Sequence, residues 1–130
     1  VTVAYRQHDR SAMYKGLPQA LSLTAVIDNF FQMPNLPEKV QLMENKIRYG
    51  TFVWIAWYLN RTGHLQEMVE YLERSWQYTP YLPGETIVNW AESFAEFSRN
   101  WGKVFDLNSL AKLPEWQNLM AWVFAQIETN

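Results

Sequence analysis

The sequence contains no cysteine among its 130 residues. Disulfide bonds, thiolate zinc sites and cysteine nucleophiles are therefore excluded. The absence of cysteine agrees with a reducing compartment, and we expect a cytoplasmic protein. Long apolar runs are also missing: no stretch approaches the roughly 18 consecutive apolar residues that a membrane-spanning helix needs, so no transmembrane segment is predicted.

An excess of charge of one sign is missing too. The formal net charge is −2, and the basic residues are scattered along the chain. This balance gives no electrostatic reason to expect binding to nucleic acid or to anionic lipid. Hydrophobic residues make up 48% of the chain and aromatic residues 16%, which is too much apolar surface for a disordered protein. We expect a folded domain with a substantial core.

Helical periodicity runs through the chain after Met13. The first helix is predicted to open at Leu17 and Pro18, and the last at Pro114, because proline is well tolerated in a first helical turn. The clearest pattern is a set of apolar residues three and four apart: Leu65, Met68, Val69, Leu72 and Trp76. The sequence therefore predicts an all-α fold, a compact bundle of five to six helices.

The first residues follow a different pattern. Val1 to Tyr5 form a run rich in β-branched residues, which predicts a short extended N-terminal segment. A lone strand cannot satisfy its backbone hydrogen-bonding groups, so this segment is expected to belong to a sheet outside the chain. It leads directly into Tyr5-Arg6-Gln7-His8, with Ser11 and Met13 close behind.

This stretch resembles the end of the catalytic domain in family-two glycosyltransferases of the GT-A fold. Those domains close with a short strand and Tyr-Arg-x-His, followed by Asn and Ser, whereas Ser11 and Met13 stand at the last two places here. The resemblance implies that residues 1–13 are the end of a catalytic domain, or a junction, and that residues 14–130 are a helical C-terminal domain. It also implies a parent enzyme that uses a nucleotide-sugar donor and a divalent metal, Mn²⁺ or Mg²⁺.

The same resemblance implies roles for two side chains in the intact enzyme. His8 would lie beside the metal and the donor diphosphate, and Arg6 would bind a phosphate. The alternatives are an exposed junction histidine and an ordinary surface ion pair. Such enzymes also need an upstream Asp-x-Asp, and the three aspartates of this sequence, Asp9, Asp28 and Asp106, do not form one. We therefore predict no catalytic residue and no metal site within this chain alone.

The middle of the chain resembles one tetratricopeptide unit. The matching positions are Phe52, Ile55, Ala56, Leu59, Met68, Leu72 and Pro80. Met68 is bulky where that family has Ala, and no second copy lies 34 residues away in either direction. The resemblance implies a tetratricopeptide-like helical hairpin inside a compact bundle. The aromatic- and proline-rich segment from residue 76 to 83 also looks similar to C-terminal regions of cyanobacterial glycosyltransferases.

Aromatic residues are more numerous than a small core usually requires, and Trp and Tyr also serve as contacts for sugars and partner proteins. Most lie on the predicted apolar stripes. Trp57, Tyr81 and Trp122 fall off a stripe or at its edge, so these three are the candidates for an exposed interface. The carboxylate pairs Glu67/Glu70 and Glu92/Glu96 are predicted to lie on solvated helix faces.

The resemblance to family-two glycosyltransferases implies a C-terminal helical accessory domain of such an enzyme, serving acceptor positioning or assembly. Its expected partners are an upstream catalytic domain and a second copy in a homo-oligomer. The alternative is a tetratricopeptide-like module for protein–protein interaction. No serine triad, glycine-rich phosphate loop or zinc-ligand spacing supports a free-standing enzyme.

Overall fold

The computed structural model describes the backbone of residues 2–128 and the side chains of residues 17–128. The fold is all-α, as predicted, and no strand occurs within the described backbone. Seven helices follow one another between residues 2 and 128: α1 (Thr2–Phe31), α2 (Glu38–Leu42), α3 (Glu44–Arg61), α4 (Leu65–Trp76), α5 (Pro83–Asn100), α6 (Leu107–Lys112) and α7 (Pro114–Glu128).

The predicted extended segment at Val1 to Tyr5 is wrong from Thr2 onward, because α1 begins at Thr2 and continues to Phe31. A helix satisfies its backbone hydrogen bonds within itself, whereas a strand needs a neighbour. The predicted start at Leu17 is also wrong, since Pro18 lies inside α1 at the cost of one backbone hydrogen bond. The division of the chain at residue 13 falls within this helix and stays a prediction.

The apolar periodicity from Val40 to Leu59 predicts one helix that starts at Pro37 and ends at Thr62 and Gly63, but the structure divides this helix in two. Met43, with φ −92° and ψ 0°, separates α2 from α3. The end of α3 agrees with the prediction: it is followed by Gly63 at φ 83°, in the left-handed region that glycine adopts without strain. The short α2 contributes no buried residue, so α3 is the first helix that reaches the centre of the core.

The central helix of the fold is α3. It packs against α4 most extensively, and also against α1 and α5. Because neighbours surround it, its buried residues point in several directions instead of forming one stripe: Tyr49, Phe52, Val53, Ile55, Ala56, Trp57 and Leu59. The α3–α4 hairpin predicted from the sequence is present, with Met68 and Leu72 of α4 fully buried.

A chain of tryptophan rings joins α4, α5 and α7. The ring centroids of Trp76 and Trp90 lie 6.0 Å apart, and Trp90 contacts Trp116 edge-on at 6.4 Å. Leu119 and Val123 of α7 complete this side of the core and are fully buried. Among the described side chains, no buried nitrogen or oxygen lacks a hydrogen-bond partner, so the tryptophan-rich core is fully satisfied.

Candidate functional site

A groove runs along the surface between α3 and α5 and continues onto one face of α5 and the loop before it, and we call it the α3–α5 groove. It consists of three adjoining depressions of about 480, 210 and 640 Å³. The first two share Gly50 and Phe97, and the last two share Tyr81 and Asn89. The whole groove is lined by Leu23, Lys46, Tyr49, Gly50, Thr51, Val53, Trp54, Pro80, Tyr81, Gly84, Glu85, Val88, Asn89, Glu92, Ser93 and Phe97.

The first depression is apolar and owes its depth to Gly50. A Cβ atom placed on Gly50 would meet no heavy atom within 4 Å, so the absent side chain leaves open space. Leu23 from α1, Trp54 from α3 and Phe97 from α5 surround this space. Trp54 is held by a stacked contact with Tyr58, with centroids 5.5 Å apart and planes inclined by 21°. This end of the groove can accept an apolar or aromatic group.

The middle of the groove is built around the phenol of Tyr49. Its hydroxyl donates a hydrogen bond to Asn89 Oδ1 at 2.6 Å, joining α3 to α5. Its ring meets the Tyr81 ring edge-on with centroids 5.8 Å apart. Burial, and then the proximity of Tyr81, raises the pKa of the Tyr49 phenol well above its usual value. Tyr49 is therefore a neutral donor that fixes Asn89 in position.

The loop between α4 and α5 positions Tyr81. The backbone N–H of Tyr81 donates to Thr79 Oγ1 at 3.1 Å, and the hydroxyls of Thr79 and Thr86 share a hydrogen bond of 2.7 Å. Thr86 is fully buried and also donates to the Leu82 carbonyl oxygen at 3.0 Å. These bonds tie the loop to the first turn of α5, so Tyr81 stands at the groove while 42% of its surface stays exposed.

The last depression carries negative charge. Glu85 and Glu92 line it together with Val88 and Asn89. Both glutamates are exposed, and within residues 17–128 neither forms an ion pair. They lie seven residues apart on α5, which places them on one helix face about 10 Å apart along the axis. This end of the groove offers two carboxylates beside an aromatic ring.

Arg48 holds α1, and with it Leu23, against α3. Its guanidinium binds Asp28 of α1 and Glu44 of α3, each at 2.7 Å. It also lies over the ring of Phe31, 5.3 Å from the centroid. Only 11% of the Arg48 side chain is exposed. Because one side chain makes all of these contacts, Arg48 is the principal polar link between the end of α1 and the rest of the fold.

The residues that the sequence predicts as functional have different surroundings in the structure. Arg6 and His8 lie outside the described side chains. Tyr81 is exposed, as expected, whereas Trp122 is half-buried and contacts Trp76 edge-on at 6.1 Å. The prediction that Trp57 is exposed is wrong, because its side chain is only 2% exposed. Neighbouring elements also pack against the face of α3 that carries Trp57, although this face lies away from the strongest apolar stripe of the helix.

Several groove residues had no signal in the sequence that pointed to a site. Gly50 interrupts a helical pattern, and in the structure α3 continues through it while the missing side chain leaves open space. Asn89, Glu85 and Glu92 are ordinary polar residues on an amphipathic helix. Asn89 gains its significance from the hydrogen bond to Tyr49 of α3, and Glu85 and Glu92 from the depression that they line with Tyr81.

No set of three or more His, Asp or Glu side chains among residues 17–128 could hold a metal ion. Glu70, Glu92 and Glu96 are exposed, as predicted for solvated faces, and Glu67 is half-exposed. No helix in the described residues is long and apolar enough to cross a membrane.

Comparison with models of protein families, with curated proteins and with solved structures finds no significant match to this chain.

Proposed function

We propose that this chain is a helical accessory domain of a family-two-like glycosyltransferase, and that its α3–α5 groove positions the acceptor or an assembly partner. The α3–α5 groove is the observation that carries the binding role. The Tyr-Arg-x-His motif at residues 5–8 supports the transferase parent by its residues alone, because α1 already begins at Thr2, where that family has a strand. The lack of cysteine suits a parent enzyme that works in the cytoplasm.

The composition of the groove supports binding and not chemistry. Aromatic rings with a few fixed polar groups are the usual lining of ligand sites, because the rings supply contact area and the polar groups supply orientation. Trp54, Tyr81 and Phe97 supply the rings, and Asn89, held by Tyr49, supplies a fixed amide. The donor sugar and the divalent metal of the parent enzyme would be bound outside this groove.

The test begins with the coding sequence upstream of Val1. About 200 residues that contain an Asp-x-Asp after a predicted strand would support the transferase parent, and an initiating Met directly before Val1 would contradict it. The protein translated from that longer frame is then assayed for Mn²⁺-dependent hydrolysis of nucleotide sugars. His8→Ala is expected to lower this activity; unchanged hydrolysis and unchanged Mn²⁺ dependence would remove the role given to His8.

A second candidate function is a tetratricopeptide-like interaction module, and the α3–α4 hairpin favours it. Phe52, Ile55, Ala56 and Leu59 are all buried, and Met68 and Leu72 of α4 are buried with them. In this case the upstream sequence would hold further helical pairs at a spacing of about 34 residues, because such repeats stack to bury their faces. An Asp-x-Asp upstream with no repeat would favour the first function.

A further inference from the structure

We propose that the α3–α5 groove takes a basic polypeptide segment, with arginine or lysine side chains three residues apart lying on Glu85 and Glu92. This inference names the partner of the groove described above. It rests on the proposed binding role and does not depend on the transferase parent.

Charge complementarity selects the occupant. Glu85 and Glu92 project from one face of α5 on either side of Val88, and no basic side chain within residues 17–128 pairs with them. Two unpaired carboxylates on an open, partly apolar surface attract cationic groups and disfavour anionic ones. A neutral saccharide would leave both charges without a partner.

The aromatic ring beside these carboxylates suits the same occupant. Tyr81 lines the depression and is 42% exposed, so its ring is available to a guanidinium or ammonium group. The fold already uses such contacts: the guanidinium of Arg74 lies 4.7 Å from the Phe52 ring centroid, and that of Arg48 lies 5.3 Å from the Phe31 ring centroid.

The spacing of the two carboxylates indicates how the segment lies. Glu85 and Glu92 are seven residues apart on α5, or about 10 Å along the helix axis. In an extended polyproline-type helix, side chains three residues apart share a face and are about 9 Å apart. Basic residues at every third position of such a segment would therefore reach both carboxylates at once.

The rest of the groove can hold the remainder of the segment. Asn89 lines both the acidic depression and the middle one, and its amide nitrogen can donate to a peptide carbonyl because Oδ1 is already bonded to Tyr49. The open space over Gly50, between Trp54 and Phe97, can receive an apolar side chain farther along. Lys46 stands at the middle depression and disfavours a basic residue there.

Binding to the 130-residue chain tests this inference directly. The probe is a twelve-residue peptide of Arg-Pro-Pro repeats carrying a fluorophore, with affinity measured by anisotropy at low and at physiological salt. Comparison probes are the same peptide with Glu in place of Arg, a peptide of equal composition whose arginines are adjacent, and a neutral glucan hexasaccharide. We expect the repeat peptide to bind at least ten times more tightly than each of the others, with an affinity that falls as salt rises.

Variants locate the contact. Glu85→Gln combined with Glu92→Gln is expected to weaken binding of the repeat peptide at least tenfold. The matched control is Glu96→Gln, which neutralises an exposed glutamate of the same helix that does not line the groove; it is expected to change affinity less than twofold. Equal effects of the double variant and the control would overturn the proposal.

Failure of this inference is distinct from failure of the binding role. If the hexasaccharide binds more tightly than the basic peptide, and Gly50→Leu abolishes its binding, the basic partner is wrong while the groove remains a binding site. If the repeat peptide, the glutamate peptide and the hexasaccharide all fail to bind, this inference is overturned and the binding role fails with it.

Discussion

The indole Nε1 of Trp57 donates a hydrogen bond to the hydroxyl oxygen of Ser98 at 2.9 Å, and this bond joins α3 to α5. The same pairing recurs between Trp90 and Ser75, at 3.0 Å, where it joins α5 to α4. Each bond lets a large aromatic side chain be buried without leaving its N–H unsatisfied. The two bonds therefore fix the relative position of the three helices that carry most of the core and both sides of the groove.

Removal of either serine hydroxyl is expected to destabilise the fold. Ser98→Ala and Ser75→Ala each leave a buried indole N–H without a partner, so we expect each to lower the free energy of unfolding by about 1–3 kcal/mol. The measurement is urea unfolding followed by circular dichroism at 222 nm. Ser22→Ala, on the exposed face of α1, is the control and is expected to stay within about 0.5 kcal/mol of the wild type. If Ser98→Ala and Ser75→Ala lower the free energy of unfolding no more than Ser22→Ala does, the role of these bonds is contradicted.

Two glycines provide a matched test of backbone conformation. At both Gly50 and Gly102 an added Cβ meets no atom within 4 Å, but Gly102 has φ +66° whereas Gly50 lies inside a regular helix. Gly50→Ala is expected to raise the free energy of unfolding by about 0.5–1 kcal/mol, because alanine favours the helix. Gly102→Ala is expected to lower it by about 1 kcal/mol, because its left-handed conformation is strained for alanine. If both substitutions change the free energy of unfolding in the same direction, this account is contradicted.

Arg48 gives a prediction about the docking of α1. Arg48→Met removes the bonds to Asp28 and Glu44 and the contact with Phe31. We expect the free energy of unfolding to fall by about 1–2 kcal/mol. This value is modest because both carboxylates are partly exposed and screened by solvent. Arg48→Lys should recover only part of it, since lysine lacks the fork that binds two partners. Arg61→Met is the control, because the Arg61 side chain is exposed. If Arg61→Met lowers the free energy of unfolding as much as Arg48→Met does, the role given to Arg48 is wrong.

The Tyr49 phenol makes stability depend on alkaline pH. Its pKa is raised in the folded protein by burial and by Tyr81, above a value of about 10 in the unfolded chain. The folded state then keeps a proton that the unfolded state loses, so the contribution of this group is complete below about pH 10 and declines as the pH rises further. Urea midpoints measured between pH 8 and pH 11 would show this decline.

Tyr49→Phe separates this effect from other alkaline titrations. The variant loses the hydrogen bond to Asn89 and should be less stable by about 1 kcal/mol at pH 8. Above about pH 10 its stability should fall less steeply than that of the wild type, by up to about 1.4 kcal/mol per pH unit. Identical slopes for the two proteins would show that Tyr49 does not carry the effect.

Local signals in the sequence predict most of the helices. The boundaries near Gly63 and Pro114 agree with the structure, because these residues act through their own backbone conformation. The sequence from Phe105 to Lys112 predicts a short helical turn capped by Asp106, and Asp106 does cap α6, accepting a hydrogen bond from the Asn108 backbone N–H at 3.0 Å. The break at Met43 carries no such residue, so the periodicity continues across it and predicts a single helix.

The groove could not be predicted in the same way. It combines Leu23 of α1, Gly50 of α3 and Asn89 of α5, which come together only through tertiary packing. The burial of Trp57 has the same cause, because a helix surrounded by neighbours buries positions that a one-sided amphipathic pattern assigns to solvent. The exposure of Tyr81 was predicted correctly, because Tyr81 lies in a loop between two prolines, where exposure follows from the local sequence.

The central proposal is that the α3–α5 groove positions the acceptor or an assembly partner of a parent glycosyltransferase, and kinetics can test the acceptor role. The most direct test is transfer kinetics of the whole gene product carrying Gly50→Leu, which fills the first depression, against Gly50→Ala, which leaves it open. We expect Gly50→Leu to raise the acceptor KM at least tenfold with unchanged hydrolysis of the donor sugar, and Gly50→Ala to match the wild type. Wild-type transfer by Gly50→Leu, or loss of donor hydrolysis along with transfer, would contradict the account.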